Sequence, residues 1–202
     1  MIKLENVTKF YNSNGIITHA LKNINLELYK NEFVAICGSS GSGKSTLLNV
    51  ICKQDTFDEG EIYYKGNETA YFNVDDMDDF RKNKVGFIFQ NYNIIESYTV
   101  LQNVMLPYEL KGIDFKEAKR KALAIISKVG LKDKINNRGA QLSGGQKQRC
   151  VIARALAFEP EILACDEPTG NLDSKTGAEI MALIHEIAKD KLVLVVTHNY
   201  EE

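Results

Sequence analysis

The segment Gly38-Ser39-Ser40-Gly41-Ser42-Gly43-Lys44-Ser45 follows the apolar run Val34-Ala35-Ile36-Cys37 and precedes Thr46-Leu47-Leu48-Asn49-Val50-Ile51. Few folds accommodate that order. The apolar run predicts a buried strand from Glu32 to Cys37, and the residues after the glycines predict a helix from about Lys44 to Cys52. Between them, Gly38, Gly41 and Gly43 permit backbone angles that let amide N–H groups point inward around an anion. The helix presents its positive end to the same point. Strand, turn and helix therefore read as a phosphate cradle. Lys44 can reach a β- or γ-phosphate, and Ser45 can hold Mg²⁺. A glycine- and serine-rich linker would account for the composition but not for Lys44-Ser45 or the flanking elements.

A second segment, Leu142-Ser143-Gly144-Gly145-Gln146, opens a helix that carries Val151, Ile152, Ala155 and Leu156. Locally Ser143 is an N-cap and Gln146 its capping-box partner. The two glycines add bare amide surface that a second phosphate can approach. The residues alone leave both readings open.

Two carboxylates end the apolar stretch Ile162-Leu163-Ala164-Cys165-Asp166-Glu167. A buried strand delivers its last residues to the carboxyl edge of a parallel sheet, where ligands bind. Asp166 is placed to anchor Mg²⁺ through water, and Glu167 is the candidate general base for an attacking water. The competing reading is a solvated strand end before a turn at Pro168. His198 follows the apolar run Leu192 to Thr197, emerges on the same edge and could touch a γ-phosphate. His19, in a hairpin region, and His185, on a helix, are read as incidental.

Patchy alternation from Ile2 to Leu28 predicts antiparallel strands with one wet face. Val85 to Phe89 and Glu161 to Cys165 predict further strands. Ala118, Ala122, Ile125, Ile126 and Val129 place a helix over Lys116 to Val129, ended by Gly130. Another helix runs from Gly144 to about Phe158, before Pro160. Ile180, Leu183, Ile184 and Ile187 line one face of a last helix. Strand–helix alternation at both ends implies an α/β fold, a parallel sheet with helical cover, into which a helical part is inserted.

The 202 residues suit one domain with a subdomain, and a net charge of -2 gives no basic field for nucleic acid. None of Cys37, Cys52, Cys150 and Cys165 forms a Cys-x-x-Cys pair, so all four are expected as buried, reduced thiols. No apolar run approaches the ~20 residues of a membrane span, and no signal peptide opens the chain. A soluble protein is expected, reaching a membrane only through a partner.

These motifs together resemble the ATP-binding cassette (ABC) superfamily over essentially the whole chain. The carrying residues are Gly38 to Ser45, Gln90, Leu142 to Gln146 followed by Lys147-Gln148-Arg149, Asp166-Glu167 and His198. Three strings are similar to the macrolide-exporter and lipoprotein-releasing (MacB/LolD) branch with its peptide-detoxification relatives. They are His19-Ala20-Leu21-Lys22, Gly86-Phe87-Ile88-Phe89-Gln90-Asn91-Tyr92-Asn93 and Thr169-Gly170-Asn171-Leu172-Asp173-Ser174.

The resemblance implies a P-loop NTPase core at 1–90 and 160–202, with an N-terminal antiparallel β subdomain and a helical signature subdomain at about 91–159. It implies an ATPase that uses ATP and Mg²⁺, with Gly38, Ser39, Ser40, Gly41, Ser42, Gly43, Lys44, Ser45 and Thr46 around the phosphates and Tyr11 stacked on adenine. Gln90 would touch the metal and sense a membrane partner. Ser143, Gly144, Gly145 and Gln146 would meet the ATP held by a second copy, in a homodimer that sandwiches two nucleotides. Asp173 would sit in a loop that communicates across that dimer.

The implied partner is a polytopic membrane permease with an extracytoplasmic domain. The implied location is cytoplasmic, peripheral on the inner face of the membrane. Tyr92, Ile94, Ile95, Tyr98, Val100 and Leu101 would divide between core and a groove for that partner, and Asp75, Asp76, Asp78 and Asp79 form a solvated face. The chain stops at Glu202, where the resemblance implies a further strand and helix. Antimicrobial-peptide or macrolide export and lipoprotein release are the implied roles. The alternative is a soluble ABC ATPase acting on nucleic acid or ribosomes. The interval between the two glycine motifs carries neither the heptads nor the Cys-x-x-Cys of DNA-repair relatives.

Overall fold

The computed structural model describes residues 1–198; the expectation about the chain end at Glu202 falls outside them. Strands β1 (Ile2–Ser13) and β2 (Ile16–Leu28) form an antiparallel hairpin. Its turn is Asn14-Gly15, both at positive φ (53° and 84°), the geometry that a two-residue hairpin loop favours. The turn fixes the register, Ser13 against Ile16 and Phe10 against His19.

Strand β3 (Phe33–Cys37) leads into helix α1 (Lys44–Ile51). Strands β4 (Glu59–Tyr64) and β5 (Asn67–Glu68) complete the antiparallel sheet in the order β2-β1-β4-β5. Neither was expected. Acidic neighbours mask the alternation in β4, where Ile62 and Tyr64 face the core.

The second sheet is wholly parallel, in the order β3-β8-β7-β6, with β6 (Val85–Ile88), β7 (Ile162–Asp166) and β8 (Leu192–Thr197). Parallel strands need cover on both faces, because their side chains alternate. Leu163, Cys165, Val193 and Val195 point into one core. Ile162, Ala164, Leu192, Leu194 and Val196 point into the other. The second core is closed by α1 and by the inner face of the antiparallel sheet, through Leu48, Ile51, Leu4, Val7 and Ile62. Each such residue, fully buried, contributes about 1.5–3 kcal/mol.

The first core is closed by α3 (Val100–Leu110), α4 (Phe115–Lys128), α5 (Gly144–Leu156) and α6 (Ser174–Ala188). Short α2 (Val74–Asp79) lies before β6, and Asn73 and Asp76 form a capping box at its start. Gly130 follows α4 at φ 77°, as a helix stop requires. Helix α5 sits directly on β6: a Cβ on Gly86 would come 2.6 Å from the Ala155 carbonyl oxygen.

One expectation is corrected. Cys52, Cys150 and Cys165 are buried free thiols, and burial raises the pKa of each. Cys37 is exposed. It ends β3, the outermost strand of its sheet among the described residues, so one side of its backbone has no neighbour.

A carboxylate ties the two sheets together. Glu161, just before β7, pairs with Lys65 after β4 at 2.5 Å and with Lys84 before β6 at 3.1 Å. Burial pushes its carboxyl up, but the bonds from Lys65 and Lys84 outweigh this and bring its pKa down to about 2. A carboxylate whose folded pKa is depressed adds stability above its unfolded value, and that stability is lost as pH falls toward the folded value. Urea unfolding between pH 5 and pH 2 should therefore show a steeper loss of stability in the native chain than in Glu161→Gln. Parallel pH profiles would remove Glu161 from this role.

Candidate functional site

Register brings the sequence motifs to one edge. Cys37 lies beside Thr197, and Asp166 beside Val196. The carboxyl ends of β3, β7 and β8 thus deliver the glycine turn, the acidic pair and His198 to a common cleft of about 620 Å³. Its walls are Ser40, Gly41, Gly43, Lys44, Ser45 and Thr46, Glu167 and His198, and Thr18, His19 and Ala20 of β2.

The turn is built as the glycines allow. Gly43 caps α1 at φ 90°, and a Cβ there would stand 2.3 Å from the Ala20 carbonyl oxygen, so no other residue fits. Lys44 Nζ donates to the carbonyls of Gly38 (2.9 Å) and Ser39 (2.8 Å). An ammonium has three donors, so one remains for a ligand. The amine is thereby fixed over the mouth of the turn, at the positive end of α1.

Ser45 Oγ donates to Asp166 Oδ1 at 3.0 Å. Burial raises the Asp166 pKa, and the neighbouring Glu167 charge adds to this; the Ser45 bond and Lys44 act the other way. A hydroxyl beside a carboxylate fits Mg²⁺, which prefers one or two protein oxygens plus water and phosphate oxygens to an all-protein cage. Glu167 adopts a left-handed φ of 50°, uncommon for a residue with a side chain. Its amide donates to the Val196 carbonyl at 2.9 Å, which turns its side chain into the cleft. There Oε1 lies 3.1 Å from His198 Nδ1.

Tyr11 stands at the flank. Its hydroxyl donates to Asp55 Oδ2 at 2.6 Å, Lys9 Nζ lies 5.1 Å from its ring centre, and the side chain is 42 % exposed. Its phenol pKa is raised, first by the Asp55 bond and then by burial. The ring offers a flat face beside the start of α1, which carries Thr46.

Gln90 is placed differently. It does not line the cleft; it packs on the loop after the acidic pair, where its carbonyl accepts from Asn171 Nδ2 at 3.0 Å. Its Nε2 lies 3.1 Å from where a Gly170 Cβ would be.

The second glycine motif also stays apart from this cleft. Ser143 and Gln146 form the expected capping box on α5. Both glycines have a packing reason: a Cβ on Gly144 would lie 2.9 Å from the Tyr92 hydroxyl, and one on Gly145 2.4 Å from Thr176 Cγ2. None of Ser143, Gly144, Gly145 or Gln146 lines the cleft. Asp173 caps α6, accepting from the Thr176 amide at 3.0 Å and its hydroxyl at 2.7 Å.

Two residues were not foreseen. His19, expected to be incidental, lines the cleft, 5.9 Å ring to ring from Phe10. The Asn14-Gly15 turn was the available signal, since it sets that register. Gln148 is fully buried on α5 and donates from Nε2 to the Pro168 carbonyl at 2.7 Å. It links the start of α5 to the loop after Glu167. Its spacing from Val151 and Ile152 put it on the buried face, but its polarity suggested solvent. His185 stacks on Phe33 at 3.8 Å, away from the cleft.

A family model described as ABC transporter matches residues 21–170. An uncharacterised ABC transporter ATP-binding protein of Methanocaldococcus jannaschii is 46% identical over 100% of this chain and 90% of its own length. A macrolide export ATP-binding/permease protein of Campylobacter fetus is 44% identical over 98% of this chain, which spans 31% of that protein. A solved dimeric ATP-binding cassette in a post-hydrolysis state, bound to ADP and Pi, matches with a TM-score of 0.87 at 44% identity, covering 100% of this chain and 89% of that one. A subunit of the cbiONQ transporter complex of Clostridium perfringens matches with a TM-score of 0.89 at 30% identity, over 98% and 78%. A phosphate-type cleft built by sheet register and a match along nearly the whole chain lead to one conclusion: the chain belongs to the ABC transporter family, as an ATP-binding cassette.

Proposed function

We propose that this cassette hydrolyses Mg²⁺–ATP between two copies of itself and passes the resulting motion to a membrane permease. The observation that carries the chemistry is one cleft lined by Lys44, Ser45, Glu167 and His198, with Asp166 bonded to Ser45 behind its wall and His198 beside Glu167. Gly38 to Thr46 wrap the triphosphate, and the exposed face of Tyr11 receives the adenine ring. Ser45 and Asp166 would hold Mg²⁺, and Gln90, which packs on the loop after the acidic pair, would couple that loop to the metal site. A metal held there would supply positive charge against the charge that develops on the phosphates. Glu167 orients the attacking water and accepts its proton, while His198, donating to it from Nδ1, leaves Nε2 for the γ-phosphate.

The cleft lacks the Ser143–Gln146 motif of its own chain. A two-fold pair of copies supplies that motif from the partner, with Asp173 near the junction. Two dimeric structures of one solved cassette, matching at 44% and 45% identity, support this arrangement. No helix among the described residues is long and apolar enough to cross a membrane. The macrolide relatives are ATP-binding/permease proteins, which supports a permease as the partner of this cassette and a place on the cytoplasmic face of the membrane. On this reading residues 1–90 and 160–202 form the nucleotide core and about 91–159 the helical part that follows the permease. The permease, with its extracytoplasmic domain, selects macrolide, peptide or lipoprotein. No relative described above supports the nucleic-acid alternative.

Phosphate release from ATP is the test. With Mg²⁺ the chain should turn over; with EDTA the rate should fall about a hundredfold or more, and excess Mg²⁺ should restore it. A rate indifferent to chelation would remove the metal role from Ser45 and Asp166.

A further inference from the structure

Lys53 follows α1, outside the nucleotide cleft, and is 5 % exposed. Its φ is 60°, a left-handed conformation that suits glycine and strains a residue with a side chain. A lysine turned inward at such a position needs an anion, because an unpaired buried ammonium is costly. Among the described residues no carboxylate pairs with it. Asp55 pairs with Lys9, and Asp78 with Arg81 and Lys82. Lys53 Nζ instead donates to Thr69 Oγ1 at 2.6 Å and lies 5.2 Å from the centre of the Phe57 ring. Burial brings its pKa down to about 8.

Thr69 and Phe57 both wall a separate cavity of about 350 Å³, closed further by Thr56, Met77 and Arg81 and by Asp55, whose charge is met by Lys9. Arg81 donates from Nη1 to the Lys53 carbonyl at 3.1 Å and also pairs with Asp78. A guanidinium has five donors, so further donors remain for an incoming anion. The cavity therefore combines an anion-binding head, an apolar wall and an amine that loses its proton more readily than a surface lysine.

We propose that Lys53 is an acylation site, and that the cavity beside it admits a small acyl phosphate with its phosphate on Arg81 and its acyl group against Phe57 and Met77. The neutral Lys53 amine attacks the acyl carbon. A C–N bond forms, the C–O bond to phosphate breaks, and phosphate leaves with the electron pair. The extra proton on nitrogen passes to water. The product amide is uncharged, so acylation removes the buried charge that the fold otherwise carries without a carboxylate.

Acetyl phosphate is the probe. The full chain is incubated with it at pH 8, and acetylation of each lysine is followed by peptide mass spectrometry. Lys53 should acetylate about tenfold faster than the exposed Lys30, Lys119 and Lys175, because a far larger share of its amine is neutral at that pH. Arg81→Gln should slow the reaction of Lys53 with acetyl phosphate about fivefold, through loss of the phosphate contact. The same variant should leave its reaction with an uncharged acylating reagent, N-hydroxysuccinimide acetate, unchanged. A Lys53 rate equal to that of the exposed lysines overturns the proposal. So does an Arg81→Gln effect of equal size on both reagents.

Discussion

Glu167→Gln should hold the chain as an ATP-bound pair and lower phosphate release by about a hundredfold to ten-thousandfold, the range of a lost general base. The substitution keeps the size of the side chain and a group for His198 Nδ1 to bond. It removes the negative charge and, with it, the capacity to take a proton. On the proposed function ATP would still bind, its γ-phosphate would bridge the cradle of one copy and the Ser143–Gln146 motif of the other, and the bridge would not be cut. Light scattering with ATP and Mg²⁺ should show a species of twice 22.7 kDa, and with ADP a single chain. A variant that binds ATP yet stays single at high protein concentration would count against the shared site.

Lys44→Ala should reduce hydrolysis by about a thousandfold, the scale of losing a preorganised charge at a reacting phosphate. Two effects combine. The amine proposed to face the phosphates disappears, and the carbonyls of Gly38 and Ser39 lose the donor that orders the turn. ATP affinity, read by nucleotide fluorescence, should fall as well, because the ammonium also contacts ground-state phosphates. Turnover at the native rate would show that the cleft is not where ATP reacts.

The parts legible in the sequence were those whose signals are local. The cradle needs contiguous glycines, a lysine and a helix start, and all lie within Gly38 to Ile51. The strands β7 and β8 are unbroken apolar runs because both their faces are covered. Their order, β3-β8-β7-β6, is not local, but any parallel arrangement sends Asp166 and His198 to the same edge.

Tertiary context hid the rest. Helix α3 opens on a capping box of Thr99 and Gln102, but Pro107 inside it argues against a helix. Cys37 belongs to an apolar run, yet its strand lies at a sheet edge. The glycines of α5 suggested an open amide surface, and the structure adds Tyr92 and Thr176 pressed against them. Gln148 could be recognised only once Pro168 was seen beside it.

The measurement that tests the central claim most directly mixes two inactive variants. Lys44→Ala destroys the cradle and spares the Ser143 motif; Ser143→Arg does the reverse. If each site takes its cradle from one copy and its motif from the other, a mixed pair holds one site with both halves intact. Each variant alone should be inactive, and an equal mixture should regain about a quarter of native phosphate release, since half the pairs are mixed and each has one working site of two. No recovery on mixing, or native turnover by Ser143→Arg alone, would mean that one chain completes its own site and would contradict the account.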